Sequence, residues 1–177
     1  IDPGRKDFKD AKVEALLPRL QEVAAEGHKA LVFSQFTSYL SLLRPRVEEL
    51  GLKHAYLDGS TRDRRTVVEQ FESDPHTSLF LISLKAGGLG LNLTAADYVF
   101  ILDPWWNPAV EMQAIARAHR IGQTKPVFAY RLVAKDTVEE KVLELQEKKR
   151  ELVETLLGED KGSIVSLNRE DIELLLS

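Results

Sequence analysis

Ala30-Leu-Val-Phe-Ser34 is a short apolar run rich in strand-forming residues, the pattern of a strand covered on both faces. Similar runs recur at His54-Ala-Tyr-Leu-Asp58, Leu79-Phe-Leu-Ile-Ser83, Tyr98-Val-Phe-Ile-Leu102 and Val127-Phe-Ala-Tyr-Arg-Leu-Val133. Helix-like segments separate them, at Ser38 to Leu50, Arg62 to Ser73 and Asn107 to Ile121. Strands alternating with helices predict an α/β fold in three layers, a parallel sheet with helices on both faces. In such a sheet the ligand crevice lies beyond the carboxyl ends of the strands. The residues after each run are therefore the candidates for chemistry: Gln35-Phe-Thr37, Gly59-Ser60-Thr61, Leu84-Lys85-Ala86-Gly87-Gly88-Leu-Gly90-Leu-Asn92 and Asp103-Pro-Trp105-Trp106-Asn107-Pro108.

Outside this alternating block the chain changes character. Residues 1–8 have no pattern and read as a linker or expression remnant. From Lys9 to Glu26, Val13, Leu16, Leu17, Leu20, Val23 and Ala24 keep a helical period, which Pro18 is expected to kink or restart before Gly27 stops it. Thr137-Val-Glu-Glu140 has capping-box spacing, and Val138, Val142, Leu145, Leu152 and Leu156 then form an apolar stripe on a helix of about six turns that Gly158 ends. Such a stripe suits a helix lying across a domain surface. Asn168 is placed to cap a last short helix through Leu176. The divisions expected are thus 1–8, 9–134, 135–158 and 159–177.

The chain has 177 residues, 44% hydrophobic and 29% charged, enough for one full core with appended structure. It has no cysteine, which excludes disulfides, thiolate zinc sites and cysteine nucleophiles. No apolar run approaches the roughly 20 residues that span a bilayer, so an intracellular setting without a membrane partner is expected. The net charge of −4 argues against a nonspecific polyanion binder. Its distribution is uneven, however: from Gln113 to Arg131 there are Arg117, Arg120, Lys125 and Arg131 and no acid.

Within that basic stretch, Gln113, Arg117 and Arg120 fall within roughly 60° of one another if the segment is helical. Arginine stays charged and offers a planar fork of donors, so this face suits phosphate; a solvated surface face has the same spacing. Gly87, Gly88 and Gly90 allow close backbone approach to an anion, or make a tight turn. They do not form a dinucleotide fingerprint, because Leu93 occupies the third glycine position. Trp105 and Trp106 precede a helix start at Asn107-Pro108; one stacks on a base or partner, or both pack under the sheet edge. Asp58 and Asp103 end strands, where an acid caps a turn more often than it holds ribose or metal. His119 has no metal-ligand spacing around it, and His28, His54 and His76 are scattered. Neither G-x-x-x-x-G-K-S/T nor an Asp-Glu strand end is present, so the chain is not expected to hydrolyse a nucleotide unaided.

Five blocks in order, Ala30-Leu-Val-Phe-Ser-Gln-Phe36, Tyr56-Leu-Asp-Gly-Ser-Thr61, Leu84 to Thr94, Asp103-Pro-Trp-Trp-Asn-Pro108 and Gln113 to Gln123, resemble the second RecA-like lobe of superfamily-two helicase-like motors. The paired tryptophans and the His-Arg-Ile-Gly-Gln ending are similar to the Swi/Snf family of DNA-translocating ATPases in particular. The resemblance implies a RecA-like C-terminal lobe at 9–134 followed by a brace helix at 135–158. It implies ATP shared with an N-terminal RecA-like lobe that carries the P-loop and holds Mg2+, with no metal bound here. Arg117 and Arg120 would be arginine fingers, Gln113 would position them, and Gly88, Gly90 and Asn92 would line the nucleotide. Ser60, Thr61, Lys85, Ala86, Gly87 and Trp106 would lie on double-stranded DNA, and the motor would act on a DNA-bound protein target in the nucleus or nucleoid. An RNA helicase lobe and a degenerate RecA-like binding module are the alternatives. One departure stands out: Ala116 replaces the acid the family usually places before the first finger.

Overall fold

The structure, a computed structural model, describes residues 10–87, 91–104, 108–119 and 122–157. The chain divides into two units, Ile1–Ala134 and Lys135–Ser177. In the first, five strands run β1 (Ala30–Ser34), β2 (His54–Leu57), β3 (Leu79–Ser83), β4 (Tyr98–Ile101) and β5 (Phe128–Arg131). They form one parallel sheet in the order β2-β3-β1-β4-β5. The helices are α1 (Ala11–Ala25), α2 (Thr37–Glu49), α3 (Arg64–Ser73), the single turn α4 (Leu84–Gly87) and α5 (Pro108–Ala118).

Alternation along β1 explains the layers. Ala30 and Val32 point to one face, where they join Val13, Leu16 and Leu20 of α1 and Leu40, Leu43 and Val47 of α2. Leu31 and Phe33 point to the other, with Phe71 of α3, Ala86 of α4, and Ala114 and Ala118 of α5. Burying both faces removes every residue of β1 and β3 from solvent, which is why those strands read as unbroken apolar runs. The three-layer parallel sheet predicted from the alternation is thus the observed fold.

Three local expectations differ. β5 is exposed at all four residues, at the sheet edge where it pairs only with β4, whereas the opposite edge strand β2 buries Ala55 and Leu57. Pro18 does not restart α1, which runs through it from Ala11 to Ala25. It sits on the exposed face with Glu14 one turn earlier, so the carbonyl deprived of its N–H partner faces water. The glycine loop begins as a helical turn, with Ser83 Oγ accepting from Ala86 N at 3.2 Å.

In the second unit α6 spans Val138–Leu157. Its start departs from a regular capping box: Thr137 Oγ1 accepts from Glu139 N at 3.2 Å, but the Glu140 carboxylate reaches back to Asp136 N at 2.7 Å rather than to the cap residue. Asp136 has a positive φ of 59°, which turns its N–H toward that carboxylate. Val138 is 66% exposed, so it does not belong to the buried stripe. The predicted short helix from Asn168 lies outside the described residues.

Candidate functional site

The carboxyl ends of β1, β3 and β4 adjoin at the point where the strand order reverses, with β2 and β3 on one side of β1 and β4 and β5 on the other. The ends of β1 and β4 are tied directly. Asp103, 5% exposed, accepts from the Ser34 hydroxyl and, at 3.1 Å, from Gln35 N. Lys12 of α1 donates to the neighbouring Leu102 carbonyl at 2.6 Å. Asp103 therefore caps the turn after β1; Trp105 and Trp106 lie outside the described residues.

After β2 the chain makes a tight polar turn around Asp58. Its Oδ1 accepts from Ser60 N at 2.8 Å and from Ser60 Oγ at 2.6 Å, and Tyr56 OH donates to Oδ2 at 3.2 Å. Thr61 Oγ1 accepts from Asp58 N at 3.1 Å. These donors, the Ser60 hydroxyl foremost, hold the Asp58 carboxyl below the usual carboxylate range. Ser60 and Thr61 are thus both bonded to the strand-end acid, which works as a turn cap.

After β3, Lys85 is exposed and Ala86 is 2% exposed within the core. Only the Ala86 backbone can face a ligand, and its N–H is already given to Ser83. Gly87 closes α4; Gly88 and Gly90 lie outside the described residues. The chain is described again from Leu91, with Asn92 exposed. From there three separate elements clamp it. Leu93 N donates to the Arg117 carbonyl at 3.0 Å. Glu72 of α3 accepts from Ala95 N at 3.2 Å. Gln123 Nε2 donates to the carbonyls of Thr94 at 3.0 Å and Ala96 at 2.8 Å, and to that of Ala118 at 3.3 Å. The loop after β3 and the C-terminal end of α5 are consequently one hydrogen-bonded piece. Gln123 carries this link, and Glu72 ties the same loop to α3; the first lies within the His-Arg-Ile-Gly-Gln motif, whereas no spacing in the sequence marks the second.

On α5, Gln113 is exposed while Arg117 is 7% exposed. The buried arc of this helix holds Glu111, Ala114, Arg117 and Ala118. At about 100° per residue Arg117 stands on its margin, and Gln113 is about 40° further round, in solvent. A guanidinium so enclosed by protein is less screened by water, which strengthens its pull on an anion. Arg120 lies outside the described residues. Ala116 is exposed. Glu111, fully buried, pairs with Arg131 Nε of β5 at 2.5 Å and so anchors α5 to the edge strand. Arg131 was not a site candidate, and nothing in its spacing distinguishes it.

The donor set on this edge suits phosphate oxygens: a guanidinium, an amide and an exposed lysine. Among the described residues no group of three His, Asp or Glu side chains could hold a metal ion.

Comparison with known proteins converges on one family. The model of the helicase conserved C-terminal domain matches residues 11–122. The DNA repair protein rad8 of Schizosaccharomyces pombe is 44% identical over 173 residues, which cover 95% of this chain and 15% of that protein. The DNA repair protein RAD5B of Arabidopsis thaliana is 42% identical over 175 residues, covering 96% of this chain and 14% of that protein. The crystal structure of the C-terminal part of the Fun30 ATPase domain superposes with a TM-score of 0.75 at 39% identity, covering 79% of this chain and 46% of that one. The chain thus spans about a seventh of those two curated relatives. The resemblance to a Swi/Snf-type C-terminal lobe and its RecA-like fold are borne out.

Proposed function

The chain belongs to the helicase conserved C-terminal domain family, and on that premise we propose that it is the second motor lobe of a DNA-dependent ATPase that moves along double-stranded DNA and remodels a protein–DNA complex. The observation that carries the reading is the clamp between the loop after β3 and α5: Leu93 N bonds the carbonyl of Arg117 itself. A displacement of the Lys85–Gly87 turn by a DNA strand then moves with the helix that presents arginine to a nucleotide.

In this reading Arg117 and Arg120 stabilise charge on the transferring phosphoryl group, and Gln113 orients them. Gly88, Gly90 and Asn92 border the nucleotide. The turn at Ser60 and Thr61, the segment Lys85 to Gly87, and Trp106 face the DNA. ATP is shared with an N-terminal RecA-like lobe that carries the P-loop and holds Mg2+. That rad8 and RAD5B are DNA repair proteins favours duplex DNA over RNA as the track. The test is Arg117→Ala and, separately, Arg120→Ala in the full-length protein. Each should lower DNA-stimulated turnover by about 10³-fold or more, and normal turnover in both would overturn the assignment. Stimulation by RNA but not by duplex DNA would replace it with an RNA helicase lobe.

A further inference from the structure

The charges of the first unit are largely paired off: Arg44 with Glu48, Arg46 with Glu14, Lys53 with Asp74, Arg65 with Glu69 and Arg131 with Glu111. Among the described cations of residues 10–134, Arg62 and Lys85 alone make no hydrogen bond, ion pair or ring contact, and both are exposed. They follow β2 and β3, which are adjacent in the sheet and in register at Leu57 and Ile82. Two unneutralised cations therefore stand at the ends of neighbouring strands, on one edge of the sheet.

The turn that carries Arg62 is built to hold still. Ser60 spends its N–H and hydroxyl proton on Asp58 Oδ1. Thr61 donates its N–H to the Asp58 carbonyl at 3.3 Å and its hydroxyl to Oδ1 at 3.4 Å. Arg64 Nε buttresses the same turn on the Thr61 carbonyl at 3.3 Å. The protons of Ser60 and Thr61 are thus committed inward, and the next residue is a guanidinium with nothing to bind.

Resting on the reading above, we infer that Arg62 is the phosphate-contacting side chain of this turn, acting with Lys85 on the backbone of one DNA strand, while Asp58, Ser60 and Thr61 serve as its rigid mount. The ligand class follows from exposure. Two solvated cations on separate loops enclose no pocket for a small anion. They suit a continuous polyanion, bound through released counterions and without reading sequence.

The experiment is the salt dependence of duplex affinity for the full-length protein. Arg62→Ala should make the slope of log K against log salt shallower by about 1 and weaken binding by about five- to tenfold near 0.1 M salt. Arg62→Lys should restore the slope. Arg65→Ala removes the same charge from a residue already paired with Glu69, and should leave the slope unchanged. Arg62 makes no contact whose loss would unfold the domain. An Arg62→Ala slope equal to wild type, when the wild type itself is salt-sensitive, overturns the assignment of Arg62 alone. A wild type with no salt-dependent duplex binding overturns the motor reading and this inference with it. A slope change with single-stranded RNA but not duplex DNA overturns the DNA assignment.

Discussion

His54 opens β2 with its side chain 8% exposed, and burial lowers its pKa below the ordinary histidine value of 6.5 even though the Glu48 carboxylate lies 3.7 Å away. The unfolded chain takes up this proton near pH 6.5, the folded chain only at lower pH. The His54 contribution to stability is therefore complete above about pH 6.5 and lost as pH falls toward the folded value. The urea midpoint should drop between pH 7.5 and 5.5, and His54→Gln should flatten that part of the profile; an identical profile would exclude His54 as its source. At this scale the sequence is partly legible. Asp58 and Asp103 read correctly as turn caps, because a carboxylate after a strand accepts local N–H groups wherever the chain turns. The burial of Arg117 was not readable, since helical spacing orders side chains around an axis without saying how far the packed arc extends.

α5 is held by polar groups as much as by its alanines. Glu111 is fully buried and Arg131 is its ion-pair partner on the edge strand. Arg131→Ala takes a cation from a buried carboxylate and should cost toward the lower end of roughly 3–5 kcal/mol, read as a shift in the denaturation midpoint. Arg131→Lys, which keeps the charge but not the planar fork, should cost less. A loss under about 0.5 kcal/mol for Arg131→Ala would show that the pair does not anchor the helix. The strands themselves were legible to within a residue or two, because burial on both faces writes a continuous apolar run. β5 was legible as a strand but not as an exposed one. Val127 to Val133 is as apolar as the central strands, and its edge position follows from strand order, which periodicity does not encode.

Taken whole, the chain supplies arginines, an amide and an exposed lysine, and it contains neither a phosphate-binding loop nor, among the described residues, a metal-ligand cluster. Purified alone, the 177-residue chain should show no ATP hydrolysis above background with or without duplex DNA, while the full-length protein should be stimulated; robust turnover by the chain alone would overturn the two-lobe scheme. The alternation of strands and helices made the architecture readable. The link between the loop after β3 and α5 was not, because Leu93 and Gln123 bond partners far from them in sequence.

The central place of β1 bears on how the chain folds. Ala30 pairs with Leu79 on one side and Tyr98 on the other, so β1 completes neither ladder before β3 is made, and both only once β4 is made. Long loops must close before these pairings stabilise anything, which slows folding and leaves apolar strands waiting in the open. A chain cut between β3 and β4 would keep Val32 and Phe33 but lose the strand that shields one side of them. Such a truncation should aggregate rather than fold, and β4 marks the earliest point at which a nascent chain can commit to this core.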